Sequence, residues 1–260
     1  MKPRVLIILS AVCVTAIILS AMKPITAEKD FVQFDKNLFA SRYEVTNIKY
    51  REFLQDLKSA NQTEKYATCR YDSTQWTKKF PSPNSKPMLY HSHPAYDHFP
   101  VVNITTEGAQ SYCEWLTNRY NKDSKRTYKK VLFRLPTETE WKRLSGPLPG
   151  HNLPWYGNFP YADEHGKTFL ANLKVKDQVT GNTDYIADGG MMTLIVGHYK
   201  PNNLGIYDVI GNVCEMTADG RLKGGSWDNY LDECTIDKTQ TYSLPDPRVG
   251  FRVIMEVVEE

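Results

Sequence analysis

The sequence predicts an α+β fold with short strands, few helices and long irregular stretches. Apolar residues recur at helical spacing in only a few places, all before Gly146. Each of those places follows a short strand-like end. Beyond Gly146, Gly, Pro, Asn and Asp recur every few residues and the helical period disappears. A chain of 260 residues suits one large domain or two small ones, with ample length to bury a core.

The first helix follows Glu44-Val45. Thr46 or Asn47 can cap it, and Tyr50, Phe53, Leu54 and Leu57 share one face. Residues 58–98 are rich in Ser, Pro, Asn, Tyr and His without clear period, which predicts a long surface excursion rather than a second domain. Phe99 to Ile104 leads into a second helix capped by Thr105 or Thr106, with Ala109, Tyr112, Cys113 and Leu116 facing inward. The basic stretch Lys122 to Lys130 is expected to be a solvated loop. A short strand ends in Phe133-Arg134-Leu135-Pro136, after which Thr137 and Glu140 form a capping box that opens a third helix. The irregular remainder needs metal ions, disulfides or an aromatic core to order it.

Charged residues make up 24% of the chain and apolar ones 41%, ordinary for a globular protein. Removing the three positive charges of Lys2, Arg4 and Lys23 from the formal +2 leaves about −1, which argues against nucleic acid as a partner. Lys2 and Arg4 precede an uncharged run from Val5 to Met22, the pattern of an export signal or a retained anchor. Residues 1–27 are thus expected to be a signal peptide or inner-membrane tether, and 28–260 the working domain, outside the cytoplasm in the periplasm or cell envelope. Cys69, Cys113, Cys214 and Cys234 lack Cys-x-x-Cys spacing, so a thiol oxidoreductase or zinc knuckle is not expected, and spacing does not choose any pairing among them. His91, His93 and His98 sit in what reads as an exposed loop, without acidic or cysteine partners nearby to make a metal site. No nucleophile elbow, P-loop or dinucleotide fingerprint occurs.

Several islands carry a resemblance. They are Tyr43-Glu44-Val45-Thr46-Asn47, the run from Phe99 to Leu116, Arg134 to Trp141, Asn202 to Met216, Gly224-Gly225-Ser226-Trp227 and Gly250-Phe251-Arg252. In this order they resemble the formylglycine-generating enzyme, or sulfatase-modifying factor, family. The implied fold is a single irregular α+β domain of the C-type-lectin-like kind. The first island also resembles gliding-motility and secretion lipoproteins of the same fold.

The resemblance implies two structural calcium sites. Asp208 and Glu215 would ligate one through their side chains, with Gly211 and Val213 supplying carbonyls. Asn172, Leu173, Asp188 and Gly190 would form the other. These are hard oxygen donors, which calcium takes in sets of about six to eight. Catalytic members hold copper on two cysteines after the Gly-Gly-Ser turn. Here the first position is Asn229 and only the second, Cys234, is a thiol; Ser226 matches a serine lining the active groove, and Cys214 and Met216 stand where tryptophans are usual. Copper(I) prefers thiolates, so one thiol and an amide make a poor site and copper is not expected. The expected function is therefore an exported, non-catalytic binding or scaffold module with a protein or peptide partner in the cell envelope. The alternative is a copper-dependent oxidase that acts on a substrate cysteine through Cys234. Carbohydrate binding rests on the lectin-like fold alone.

Overall fold

The computed structural model describes residues 27–81, 89–162, 168–177 and 180–260. The uncharged run Val5 to Met22 lies outside the described residues. Among those described, no helix is long and apolar enough to cross a membrane.

A one-turn helix α1 (Ala27–Asp30) leads into strands β1 (Phe31–Asp35) and β2 (Leu38–Ser41). These join β9 (Ile254–Glu259) and β3 (Lys130–Arg134) in an antiparallel sheet of order β1-β2-β9-β3. The chain's two ends therefore meet in one sheet. Helices α2 (Asn47–Ser59) and α5 (Thr106–Lys122) pack on it. Their inward residues are those the spacing predicts: Tyr50, Phe53, Leu54 and Leu57 on α2, and Ala109, Tyr112, Cys113 and Leu116 on α5. Tyr50 and Tyr112 stack with centroids 5.7 Å apart, and Phe251 meets both edge-on. The edge of β3 is satisfied by α5. Asn121 donates to the Val131 carbonyl and accepts from its N–H, and Thr117 Oγ1 accepts from Phe133 N at 2.8 Å.

The described part of the excursion at 58–98 is more ordered than its composition suggests. It forms two short helices, α3 (Thr63–Cys69) and α4 (Thr74–Lys79), and buries Cys69, Trp76, Tyr90 and His91. Helices this short hold too few turns to show a period, and aromatic packing orders them instead: Trp76 lies against Phe80, Tyr90 and Trp227. His91 corrects the expectation of an exposed histidine loop. It is buried, stacks on Tyr71 at 4.0 Å, and its Nε2 pairs with the Val102 carbonyl at 2.9 Å. His93 instead uses Nδ1 to cap the turn at Ala95, so the two do not converge.

The basic stretch is a loop over 123–129, as expected, but its ends Lys122 and Lys130 belong to α5 and β3. Helix α6 (Glu138–Leu144) carries the predicted capping box, Thr137 accepting from Glu140 N and Glu140 from Thr137 N. Beyond it the elements are minimal. A hairpin pairs β4 (Val175–Lys176) with β5 (Thr183–Asp184). A small sheet places β6 (Cys214–Met216) between antiparallel β7 (Leu222–Lys223) and parallel β8 (Val249–Gly250). Cys69, Cys113, Cys214 and Cys234 are all buried free thiols, so no disulfide orders this half among the described residues. A second apolar core built on Trp141, Leu144, Ile206, Ile210 and Ile254 does so.

Burial drives the pKa of His91 down to about 4. The unfolded chain takes up this proton near the ordinary value of 6.5, whereas the folded chain resists until about pH 4. Stability should therefore fall as pH drops through that window, by about 3 kcal/mol in all. Urea unfolding of the wild type and His91→Gln at about pH 7 and about pH 4.5 checks this, the variant losing that part of the slope.

Candidate functional site

The region matching the family's active groove is built on the turn after β7. Gly224 and Gly225 both have positive φ, +86° and +71°, and both meet close neighbours. A Cβ on Gly225 would lie 2.0 Å from Cys234 Sγ, and one on Gly224 would lie 2.6 Å from the Val209 carbonyl. Only glycine fits either position. The turn thereby brings Cys234, at the end of a short 3-10 turn (Leu231–Glu233), flat against Gly225.

Ser226, Asn229 and Cys234 do come together, but in a closed arrangement. Asn229 Oδ1 accepts from Ser226 N at 3.0 Å, Ser226 Oγ at 2.7 Å and the Tyr242 hydroxyl at 2.9 Å. Its backbone is held as well, donating to the Ser226 carbonyl and accepting from Lys174 N. The amide is thus a polar hub for three strands of loop. Cys234 is fully buried, and burial, followed by the nearby Glu233 charge, pushes its thiol up, opposite to the depression a reactive thiolate needs. Cys214, distant in sequence, lies within electrostatic range of it, and burial raises that thiol too. Copper(I) does not fit the position: the donors are one buried thiol and an amide oxygen already taken by three hydrogen bonds.

Asp228, between Trp227 and Asn229, is a residue that sequence reasoning missed. Its carboxylate meets Lys79, Lys174 at 3.2 Å, Arg248 at 3.5 Å and the Tyr185 hydroxyl at 3.3 Å. Burial alone would raise its pKa, yet Lys79 and Lys174 outweigh it and hold the carboxyl below its usual range.

The eight expected calcium ligands behave differently at the two places. Glu215 is buried and engaged, with Arg252 donating to it at 2.6 and 3.1 Å and Trp141 Nε1 at 2.8 Å. Arg252 spends its other donors on the Ser41 and Tyr207 carbonyls. Asp208, at φ +55°, accepts from Gly197 N at 2.5 Å. Glu44 faces it, unforeseen from sequence, with Oε1 on Asn212 Nδ2 at 3.0 Å. Burial and the Asp208 charge lift Glu44 well above the carboxylate range, and burial pushes Asp208 up to about 6. Glu44 Oε2 itself has no hydrogen-bond partner, and the Arg252 guanidinium offsets part of the cost by favouring both carboxylates. Glu215 is therefore saturated by a guanidinium, and a cation here would depend on Asp208 with the Gly211 and Val213 carbonyls.

At the second place Asp188 Oδ2 accepts from Leu173 N at 2.5 Å and its Oδ1 from Gly190 N at 3.3 Å. Burial lifts its pKa to about 6. Asn172 Oδ1 is buried with no hydrogen-bond partner, while its amide nitrogen donates to the Met192 carbonyl. An orphaned amide oxygen next in the chain to a residue bound by a buried carboxylate is a hard-oxygen donor set that suits calcium. Among the described residues, no group of three or more His, Cys, Asp or Glu side chains could hold a metal, so a cation at either place would draw on amide and carbonyl oxygens.

Removing one partner of the buried Arg252–Glu215 pair strands the other charge in the core. Glu215→Gln and Arg252→Met should each cost about 3–5 kcal/mol in chemical unfolding, whereas Arg143→Met, at an exposed ion pair with Asp35, should cost under about 1 kcal/mol.

Comparison with known proteins agrees with this architecture. The inactive C-alpha-formylglycine-generating enzyme 2 of Bos taurus is 30% identical over 172 residues, covering 59% of this chain and 49% of that protein. The formylglycine-generating enzyme of Mus musculus is 30% identical over 121 residues, covering 46% of this chain and 27% of that one. The chain thus matches half or less of the length of these relatives. PvdO from Pseudomonas aeruginosa superposes with a TM-score of 0.55 at 21% identity, covering 86% of this chain and 82% of PvdO. Treponema denticola variable protein 1 superposes at 0.52 and 17% identity, covering 87% and 91%. The Sulfatase-modifying factor enzyme 1-like domain profile matches residues 23–257, which takes in nearly all of the described fold, and the chain belongs to that family.

Proposed function

We propose that this protein is an exported, non-catalytic member of its family, a binding module working on a protein or peptide partner in the periplasm or cell envelope. The observation that carries the reading is the state of the position where catalytic members hold copper. Asn229 is locked by three donors and the remaining thiol, Cys234, is buried and protonated. Relatives named as inactive exist at 30% identity alongside active ones, so loss of the chemistry within this fold has precedent. A fold retained without its metal ligands offers a shaped surface, and surface loops carry recognition. The export reading rests on Lys2, Arg4 and the uncharged run Val5 to Met22, which also would serve as the membrane tether if retained.

Incubation of the protein with copper(I), oxygen and a peptide carrying the sulfatase Cys-x-Pro-x-Arg motif, read by mass spectrometry, tests the absence of catalysis. No aldehyde is expected. Aldehyde that vanishes in Cys234→Ser would replace the binding module with the oxidase.

Calcium is proposed as a structural ion at the Asn172–Asp188 place, where it would satisfy the orphaned Asn172 Oδ1 and tie the loops after Gly146 together. Calcium at about a hundredfold above its Kd should then add about 3 kcal/mol of stability, visible as a raised Tm, and Asp188→Asn should abolish that rise. A Tm indifferent to calcium and to chelator would remove the ion from the account.

A further inference from the structure

Asn172, Asn212 and Glu44 form a buried chain of hydrogen bonds. Asn212 lies 40 residues from Asn172 and 168 from Glu44 in the sequence, and all three are 1–2% exposed. Asn212 Oδ1 accepts from Leu194 N at 2.9 Å and from Asn172 Nδ2 at 3.2 Å. Its Nδ2 donates to Glu44 Oε1 at 3.0 Å. Asn172 Nδ2 donates in addition to the Met192 carbonyl at 2.9 Å.

The main chain draws the same segments together. Asn212 N donates to the Asn172 carbonyl at 2.9 Å. A Cβ on Gly211 would lie 2.3 Å from that carbonyl oxygen, so only glycine permits the approach. Asn212 itself takes φ +53°, a left-handed conformation that Asn tolerates better than most residues.

The two ends of this chain fix which way each amide points. The oxygen and nitrogen of an amide are alike in shape, so orientation follows from partners whose roles cannot reverse. Leu194 N only donates, so the Asn212 atom facing it is the oxygen. The Met192 carbonyl only accepts, so the Asn172 atom facing it is the nitrogen. Flipping Asn172 would set its oxygen against two other oxygens. What remains of the Asn172 amide is its oxygen, buried and without a hydrogen-bond partner. A buried acceptor in that state costs about 1–3 kcal/mol unless a cation or a donor meets it.

We propose that Asn212 is a positioning residue for the calcium place at Asn172 and Asp188, with Glu44 behind it. Asn212 holds the Asn172 amide so that the oxygen, and not the nitrogen, faces the ion. This rests on the calcium reading of that place and names the residues behind its ligand. An amide free to rotate would also present its N–H groups to the cation, and binding would have to order it.

The test joins hydrogen exchange on the calcium-free full chain to a calorimetric calcium titration. With 15N-labelled asparagine, the Asn172 side-chain NH2 is expected to be protected in the wild type and to lose that protection in Asn212→Ala. Calcium affinity is expected to fall about tenfold or more in Asn212→Ala. It should stay near the wild type in Glu44→Gln, whose amide oxygen can accept the same hydrogen bond. If Asn212→Ala melts too low to measure, Glu44→Met, which removes the acceptor behind Asn212, should move both readouts the same way. Affinity unchanged in the variant measured, or an Asn172 amide that exchanges freely in the wild type, would overturn the proposal. So would an equal loss in Glu44→Gln, because charge and not orientation would then govern the ion. Protection that depends on Asn212 in a wild type that binds no calcium would sink the calcium reading while upholding the orientation, with a buried water as the donor to Asn172 Oδ1.

Discussion

The buried pair of Arg252 and Glu215 is the contact on which the remaining structure depends. It joins β6 to the segment just before β9, and through the other donors of Arg252 it reaches the end of β2 at Ser41 and the loop at Tyr207. Trp141 of α6 hydrogen-bonds the same carboxylate. Two sheets, a helix and an irregular loop are therefore referenced to one ion pair with 0% and 1% side-chain exposure. Desolvating these two charges is costly, and the cost is offset because every nitrogen of the guanidinium finds an oxygen. Such a contact specifies a geometry more than it adds stability. In a half-molecule with strands of two or three residues, specification is what is scarce.

Around this pair the acids are managed by two other devices. Glu44 and Asp208 face each other within reach of Arg252, which cannot neutralise three carboxylates, and burial raises the pKa of Glu44 well above the carboxylate range. Farther out, Asp228 is handled in the opposite way, by gathering three cations to one carboxylate. The first arrangement is closed to solvent and structural. The second lies nearer the surface, where the side chains of Lys79 and Arg248 keep 28% and 25% of their exposure. The same side-chain type is thus managed by burial in one place and by cation pairing in another, and local partners decide which.

The proposed loss of copper chemistry follows the same logic. Replacing a thiolate position by Asn does not leave a hole, because the amide oxygen accepts from Ser226 twice and from Tyr242. On that reading, the turn that presents metal ligands in catalytic members is a hydrogen-bonded corner here. Gly225 packs directly on the sulfur of Cys234, so the fold fits a side chain of that size there.

The sequence by itself determined whatever depends on neighbours in the chain. The inward faces of α2 and α5, the Thr137–Glu140 capping box and the Gly-Gly turn are local patterns, set by helical period, by spacing of three residues, or by φ values only glycine takes readily. The ordered islands likewise carried the family, and Asn229 in place of cysteine was visible at once. The helices α3 and α4 were hidden because two turns or fewer show no period, and their order comes from Trp76 and Tyr90 packing at a distance. Only the tertiary structure decided that Arg252 would meet Glu215, that Tyr242 would hold Asn229, and that Lys79 would reach Asp228 across a separation of 149 residues. Charge pairing carries no sequence period, so these partners became legible only when the irregular loops were folded and the distances between side chains were fixed.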